Sequence, residues 1–377
     1  MTGMETGVEW LGDGDQAFRA LFDTIASARK SLRLETYILS EAAPGDAVRE
    51  ALGAAARRGV DVRLMVDGIG SIELPDRALE ETVSAGVACR VFNPVSKGRL
   101  LVRNHRKLVV ADDRVALVGG FNVAPEYLGD GVTRGWCDLG IRLDGAAVPA
   151  LASGFDHLWA LADTRPARFV RLRRRDRSSL ETGDPTMTVL ESVPGRGRAA
   201  FLGALSKDLE TAREMEFAVA YFLPGLGLRR LLARRSRSGA RVRLLVPGIT
   251  DVAMSRRAAR FLYGGLLRAG VEILEYRPQV LHAKLYRLDD IVYVGSSNLD
   301  TRSLHLNHEI MVRIQRPEVA EMARVWMSEA FGRSDRLDAR SWNRSRGRWE
   351  RLQEAWAHFV LARLDPYLTR RLAPDPR

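Results

Sequence analysis

Residues 104–112 read NHRKLVVAD, and residues 281–289 read LHAKLYRLD. Both stretches set a histidine, one residue, a lysine, four residues and an aspartate in order. The residues are His105, Lys107 and Asp112 in the first and His282, Lys284 and Asp289 in the second. Apolar residues follow each lysine and an Asp-Asp pair follows those, so both read as a strand entering a hairpin turn. Side chains alternate along a strand, which puts histidine and lysine of each motif on one side.

The repetition extends outward. ASARKSLRLETYIL (26–39) resembles ETAREMEFAVAYFL (210–223), with Tyr37 opposite Tyr221. RRGVDVRLMVDGIGS (57–71) resembles SRSGARVRLLVPGITD (236–251), and AGVACRVFNP (85–94) resembles AGVEILEYRP (269–278). The order is the same throughout, at offsets of about 177–184 residues. A solenoid repeat is far shorter, so the spacing describes a tandem duplication.

The fold class expected is α/β: two homologous α/β/α halves related by a pseudo-two-fold axis, with the site at their interface. Helices over about 15–30 and 197–213 lead into apolar strands, and glycine closes the following helices. Strands alternating with helices predict a mainly parallel sheet covered on both faces. The halves are placed at 1–177 and 188–335. A linker at 178–187 separates them, and a Trp- and Arg-rich helical appendix occupies 336–377.

The 377 residues are 46% hydrophobic, which suits a large globular core and excludes a disordered chain. A net charge of +11 suits an anionic partner or a solvated basic surface. Cys89 and Cys137 read as packed thiols in a reducing compartment. No signal peptide or spanning helix is expected. The longest apolar run, FAVAYFLPGLGL (217–228), is too short for a bilayer and contains Pro224.

Five of the 58 basic residues are lysines: Lys30, Lys97, Lys107, Lys207 and Lys284. Two of the five fall at matching motif positions. In so arginine-rich a chain, this implies that a compact ammonium is needed there, able to point at one oxygen. After each hairpin comes a loop of small residues ending in asparagine, GGFN with Asn122 and GSSN with Asn298, whose amides can donate to an anion. Farther on lie Asp138 and Glu309, acids suited to orienting a histidine. Asp112 and Asp289, at the turns, suit fixing the turn. Facing one another, the two sets would give a nucleophile, an acid and four donors around a tetrahedral anion. That constellation fits phosphoryl or phosphatidyl transfer through a covalent intermediate, with no metal and no cofactor. HLNH (305–308) has metal-like spacing but no further Cys or His partners.

These residues resemble the phospholipase D superfamily, whose motif is His-x-Lys-x4-Asp twice per active site. The likeness covers about 8–335. Within the superfamily the chain is similar to the bacterial cardiolipin synthases on VGSSNLDTRSLHLNHE (294–309), GGFNVAPEY (119–127) and LETYIL (34–39). With no N-terminal transmembrane helices expected, it is most similar to the shorter B type. The resemblance implies transfer of a phosphatidyl group onto phosphatidylglycerol, releasing glycerol, or ethanolamine where phosphatidylethanolamine is the donor. It implies a phosphohistidine, assigned to His105, with His282 as general acid and base. Lys107, Lys284, Asn122 and Asn298 would hold the phosphate oxygens, and Asp112 and Asp289 complete the motifs. The implied partners are these phospholipids and an anionic membrane surface, met peripherally at the cytoplasmic face, with no obligatory nucleic acid. Phosphodiester hydrolysis and metal-independent nuclease activity use the same residues and stay open.

Two segments could dock. RFVRLRRRDR (168–177) mixes arginines with apolar residues. Trp342, Trp349 and Trp356 recur every seven residues, with Leu352 and Phe359 on the same face. That stripe suits either a lipid interface or packing on the second half. DVAMSRRAARFLYG (251–264) reads as an amphipathic helix bordering the cleft.

Overall fold

A computed structural model describes residues 6–94, 102–163, 179–194, 200–342, 344 and 346–364. The basic segment 168–177 lies outside the described residues. The first half runs β1 (Gly7–Leu11), α1 (Gly14–Ser27), β2 (Ser31–Thr36), α2 (Gly45–Arg57), β3 (Asp61–Asp67), α3 (Asp76–Ser84), β4 (Ala88–Phe92), β5 (Leu108–Ala111), β6 (Val115–Gly119), β7 (Gly140–Asp144) and α4 (Val148–Asp163). The second half opens with β8 (Ser179–Glu181), β9 (Met187–Ser192), α5 (Ala200–Leu209), β10 (Glu214–Val219), α6 (Leu226–Arg237), β11 (Arg241–Pro247), α7 (Ala253–Arg268) and β12 (Glu272–Tyr276). It continues with β13 (Lys284–Leu288), β14 (Ile291–Gly295), α8 (Thr301–His305), β15 (Glu309–Gln315), α9 (Pro317–Gly332) and β16 (Ser334–Arg336). Last come α10 (Arg348–Phe359) and a π-helical turn at Val360–Leu364.

The duplication is explicit in the strand order. One sheet reads β1-β7-β6-β5-β2-β3-β4 and the other β16-β12-β11-β10-β13-β14-β15-β9-β8. Read from β9 to β12, the second repeats the first strand for strand, with β8 and β16 added at its edges. The helix ends repeat too. Gly59 and Gly239 hold φ of +89° and +94°, the left-handed closure that glycine adopts without strain.

Both sheets are mixed rather than mainly parallel. Only β2-β3-β4 and β10-β11-β12 run parallel, joined by the crossover helices α2, α3, α6 and α7. The motif strands β5 and β13 enter antiparallel to β2 and β10, then turn straight back into β6 and β14. A tight hairpin can only pair antiparallel, so alternating strands and helices in the first part of each half did not specify the rest. The stretch read as a linker also differs: its residues 179–181 form the edge strand β8, paired to β9.

Three large apolar clusters fill the layers. α1 packs on the outer face of the first sheet with Phe18, Leu21 and Ile25, and α5 on that of the second with Phe201, Leu205 and Leu209. Between the sheets, Phe155 and Leu158 of α4 and Ala323 and Met327 of α9 join Val110, Val118, Val292 and Val312 in one core shared by both halves. The halves therefore meet over buried apolar surface, which sets them rigidly enough to build a site between them.

Candidate functional site

The motif histidines sit just outside the strands. β5 starts at Leu108 and β13 at Lys284, so His105 and His282 lie in the irregular segments that feed them. Each lysine folds back on its own motif. Lys107 Nζ donates to the His105 carbonyl at 2.7 Å, and Lys284 Nζ donates to the His282 carbonyl and lies 3.0 Å from His282 Nε2. Arg106, between His105 and Lys107, points away into ion pairs with Glu35 and with Glu191 of the other half, each at 2.8 Å.

The acids cross over. His105 Nδ1 lies 3.1 Å from Glu309 Oε2, while His282 Nδ1 lies 2.6 Å from Asp138 Oδ2. Each histidine is thus held by a carboxylate from the opposite half. The backbone enforces this reciprocally: Asn104, before His105, bridges His308, before Glu309, and Leu281, before His282, bridges Cys137, before Asp138. The His105 N–H donates to the His308 carbonyl, and the His282 N–H to the Cys137 carbonyl. A self-complementary exchange of this kind is the mark of a two-fold contact.

The two dyads are not identical. Glu309 also accepts from Ser296 Oγ at 2.5 Å. The matching position beside Asp138 is Gly120, where a Cβ would come within 2.1 Å of Oδ1. The shorter acid therefore sits against glycine, and the longer one against a serine hydroxyl. Tyr127 and Trp136 flank His282 with ring centroids at 5.2 and 5.4 Å, and the Tyr127 hydroxyl lies 3.4 Å from Nε2. Tyr37 packs edge-on to His105 at 5.0 Å. Of these aromatics only Tyr37, matched to Tyr221, carried a signal in the repeats. Tyr127 ends a short 3-10 turn, Pro125–Tyr127, in the connection between β6 and β7 that also carries Trp136, whereas the corresponding connection between β14 and β15 carries α8.

The asparagines follow the small-residue loops. Asn122 Oδ1 accepts from the Ile38 N–H at 3.1 Å and Asn298 Oδ1 from the Tyr221 N–H at 3.3 Å. With the oxygens tied to backbone, the amide nitrogens are the ends left to work. Asn122 Nδ2 donates one of its two protons to Tyr127 Oη at 2.6 Å. Both histidines and both asparagines line one cleft of about 320 Å³, with Tyr37, Tyr221, Asp251, Asp300, Asn307, Val252 at the N-cap of α7 and Ser255 in its first turn. Asp112 and Asp289 lie apart from this cleft, in left-handed turns at φ 53° and 48°. Asp112 accepts from the backbone of Arg29, Lys30 and Ser31, and Asp289 from Arg213 and Glu214, so each ties its hairpin to the neighbouring strand.

Burial tunes the titrating groups. It brings the Lys107 ammonium down to about 7 and Lys284 to about 8, partly offset by Glu309 and Asp138. Burial also lowers His105, and lowers His282 further, Lys284 adding to the effect. Asp138 is pushed up to about 6 by the same desolvation. An incoming negative charge would favour the protonated form of all four nitrogen groups.

Two homologous mixed sheets with a histidine from each at one cleft define a chain of the phospholipase D fold. The crystal structure of phosphatidylserine synthase from Haemophilus influenzae Rd KW20 matches it with a TM-score of 0.74, covering 96% of this chain and 94% of that one at 15% identity. The family described as cardiolipin synthase, phospholipase D-like domain, matches residues 21–159 and 206–330. Cardiolipin synthase B of Salmonella typhi is 35% identical over 323 residues, 80% of this chain and 75% of that protein. The Escherichia coli K12 protein of the same name is 33% identical over 314 residues, 81% and 76% of the two chains. The chain belongs to the cardiolipin synthase family of the phospholipase D superfamily, and it is a phosphatidyltransferase of that superfamily.

Proposed function

We propose that this enzyme makes cardiolipin by moving a phosphatidyl group onto phosphatidylglycerol through a phosphohistidine. The observation that carries the reading is the crossed pair of dyads: each Nδ1 is held by a carboxylate, leaving each Nε2 as the nitrogen for chemistry. His105 is the nucleophile. It is the more accessible of the two, its side chain 13% exposed against 5% for His282. His105 Nε2 attacks phosphorus of the donor, and the bond from phosphorus to the headgroup oxygen breaks. His282 delivers its proton to that oxygen, releasing glycerol from phosphatidylglycerol or ethanolamine from phosphatidylethanolamine. A hydroxyl of a second phosphatidylglycerol then gives its proton to His282 and attacks phosphorus, freeing His105. Lys107, Lys284, Asn122 and Asn298 hold the non-bridging oxygens, and Asp112 and Asp289 act structurally, at the turns. The donor's phosphodiester charge raises the proton affinity of His282 and the lysines, so substrate itself charges the acid.

No described helix is long and apolar enough to cross a membrane. The enzyme is proposed to work peripherally at the cytoplasmic face, drawing substrate from an anionic surface. The test is purified protein in EDTA with labelled phosphatidylglycerol vesicles, with and without phosphatidylethanolamine. Cardiolipin is the expected product, lost in His105→Ala and His282→Ala. Phosphatidic acid alone would make the enzyme a hydrolase, and full activity in either variant would overturn the mechanism.

A further inference from the structure

The seven-residue tryptophan stripe splits in the structure. Trp342 precedes α10 and is buried against Tyr263, between the guanidinium groups of Arg260 and Arg346. The rest of the stripe faces solvent: Trp349 is 70% exposed, Leu352 58%, Trp356 59% and Phe359 57%. Helical spacing puts these four on one arc of α10. The opposite arc packs on α7, with Ala357 against Ala258 and Leu262 and with Glu354 paired to Arg260 and Arg346. The helix is therefore held to the protein by a mixed face, small apolar contacts beside the Glu354 ion pairs, and presents its four largest apolar side chains outward. Arg348 and Arg351 are exposed on the flank between the two faces. Just past Phe359, Leu361 lines the catalytic cleft. Leu361 packs with Ala357 on the face turned to α7, so the C-terminal end of the helix, rather than its outward arc, lies beside the cleft.

We infer that α10 is an interfacial helix that seats the enzyme on an anionic phospholipid bilayer, Trp349, Leu352, Trp356 and Phe359 entering the headgroup–acyl boundary while Arg348 and Arg351 meet lipid phosphates. Four large apolar side chains on one arc beside arginines in a chain of net charge +11 suit that partner better than a neutral one. The assignment rests on the phosphatidyl-transfer reading: a cleft opening beside the seated helix receives a headgroup without the lipid leaving the bilayer. In this geometry α10 sets where the cleft meets the surface.

The experiment is sedimentation of the full chain with vesicles of phosphatidylglycerol and of phosphatidylcholine, comparing wild type with a Trp349→Ser, Leu352→Ser, Trp356→Ser variant. Partitioning onto phosphatidylglycerol is expected to fall by about tenfold or more, and quenching of tryptophan fluorescence by brominated lipid to shrink. Trp349→Phe with Trp356→Phe should keep most of the binding. All these side chains are exposed, so the unfolding temperature should match wild type and confirm that the variant is folded. Unchanged partitioning in the serine variant would overturn the assignment. So would light scattering that shows a wild-type dimer split by the same substitutions, since the stripe would then meet a second copy. Activity on short-chain phosphatidylglycerol in mixed micelles is measured separately: a wild type inactive there but bound to vesicles would refute the proposed reaction and leave the docking surface standing.

Discussion

Asp138→Asn removes the charge that faces His282 while keeping the shape of the side chain. Asp138 is fully buried, 2.6 Å from His282 Nδ1, and follows Cys137, whose backbone bridges the halves. A hydrogen bond to a charged group contributes about 1.5–3 kcal/mol. At about 1.4 kcal/mol per tenfold, losing it where His282 becomes an imidazolium should slow turnover about 10- to 150-fold. Asp138 also favours the charged form of Lys284, so part of the loss should appear as weaker substrate binding. The informative assay varies the leaving group. With phosphatidylglycerol as donor, the glycerol oxygen needs a proton from His282. With a phosphatidyl ester of p-nitrophenol it does not, so the burst of nitrophenolate should be nearly as fast in Asp138→Asn as in wild type. Glu309→Gln perturbs the proposed nucleophile, and its burst should be slow with both donors. A full loss with both donors in Asp138→Asn, or leaving-group rescue in Glu309→Gln instead, would refute the assignment of roles.

Three other outcomes follow from the geometry. Lys107→Arg and Lys284→Arg keep the charge but put a broad fork where Nζ folds onto its own motif's carbonyl, so kcat/KM should fall about 100-fold or more in phospholipid assays. Trp342→Ala empties a buried site between Tyr263 and two guanidinium groups, and denaturant unfolding should show a loss of about 3–5 kcal/mol. Lys107 at about 7 is mostly neutral at pH 8, and a phosphodiester anion favours its ammonium form. Calorimetric titration with glycerophosphoglycerol in buffers of different ionisation enthalpy should therefore show proton uptake at pH 8. The folded protein correspondingly holds fewer protons than the unfolded chain between about pH 7 and 10.5, so this lysine's contribution to stability rises with pH across that window.

The sequence carried what is local and repeated. The spacing of His105 with Lys107 and of His282 with Lys284, the two asparagine loops and the two trailing acids could all be read within short windows. The pairing of those parts could not. Asp138 lies nearer in sequence to His105, and Glu309 to His282, yet each acid serves the other histidine, because the bridges at Asn104–His308 and Cys137–Leu281 thread each half into its partner. The alternation of strands with helices suggested parallel pairing, but it described only the crossover part of each half. The tryptophan heptad looked like one continuous surface. The chain enters α10 only at Arg348, which left Trp342 free to turn inward. Tyr127 and Trp136 come to His282 on a loop whose path no periodicity announces.

The central claim is that His105 carries the phosphatidyl group between donor and acceptor. The direct measurement is to mix enzyme with labelled phosphatidylglycerol for less than one turnover, quench in alkali, digest and locate the label by mass spectrometry. The account predicts an acid-labile adduct on the peptide bearing His105, accumulating in Asp138→Asn when the p-nitrophenyl donor is used. An adduct on His282 would reverse the two roles, and cardiolipin formed with no adduct on either histidine would contradict the covalent route altogether.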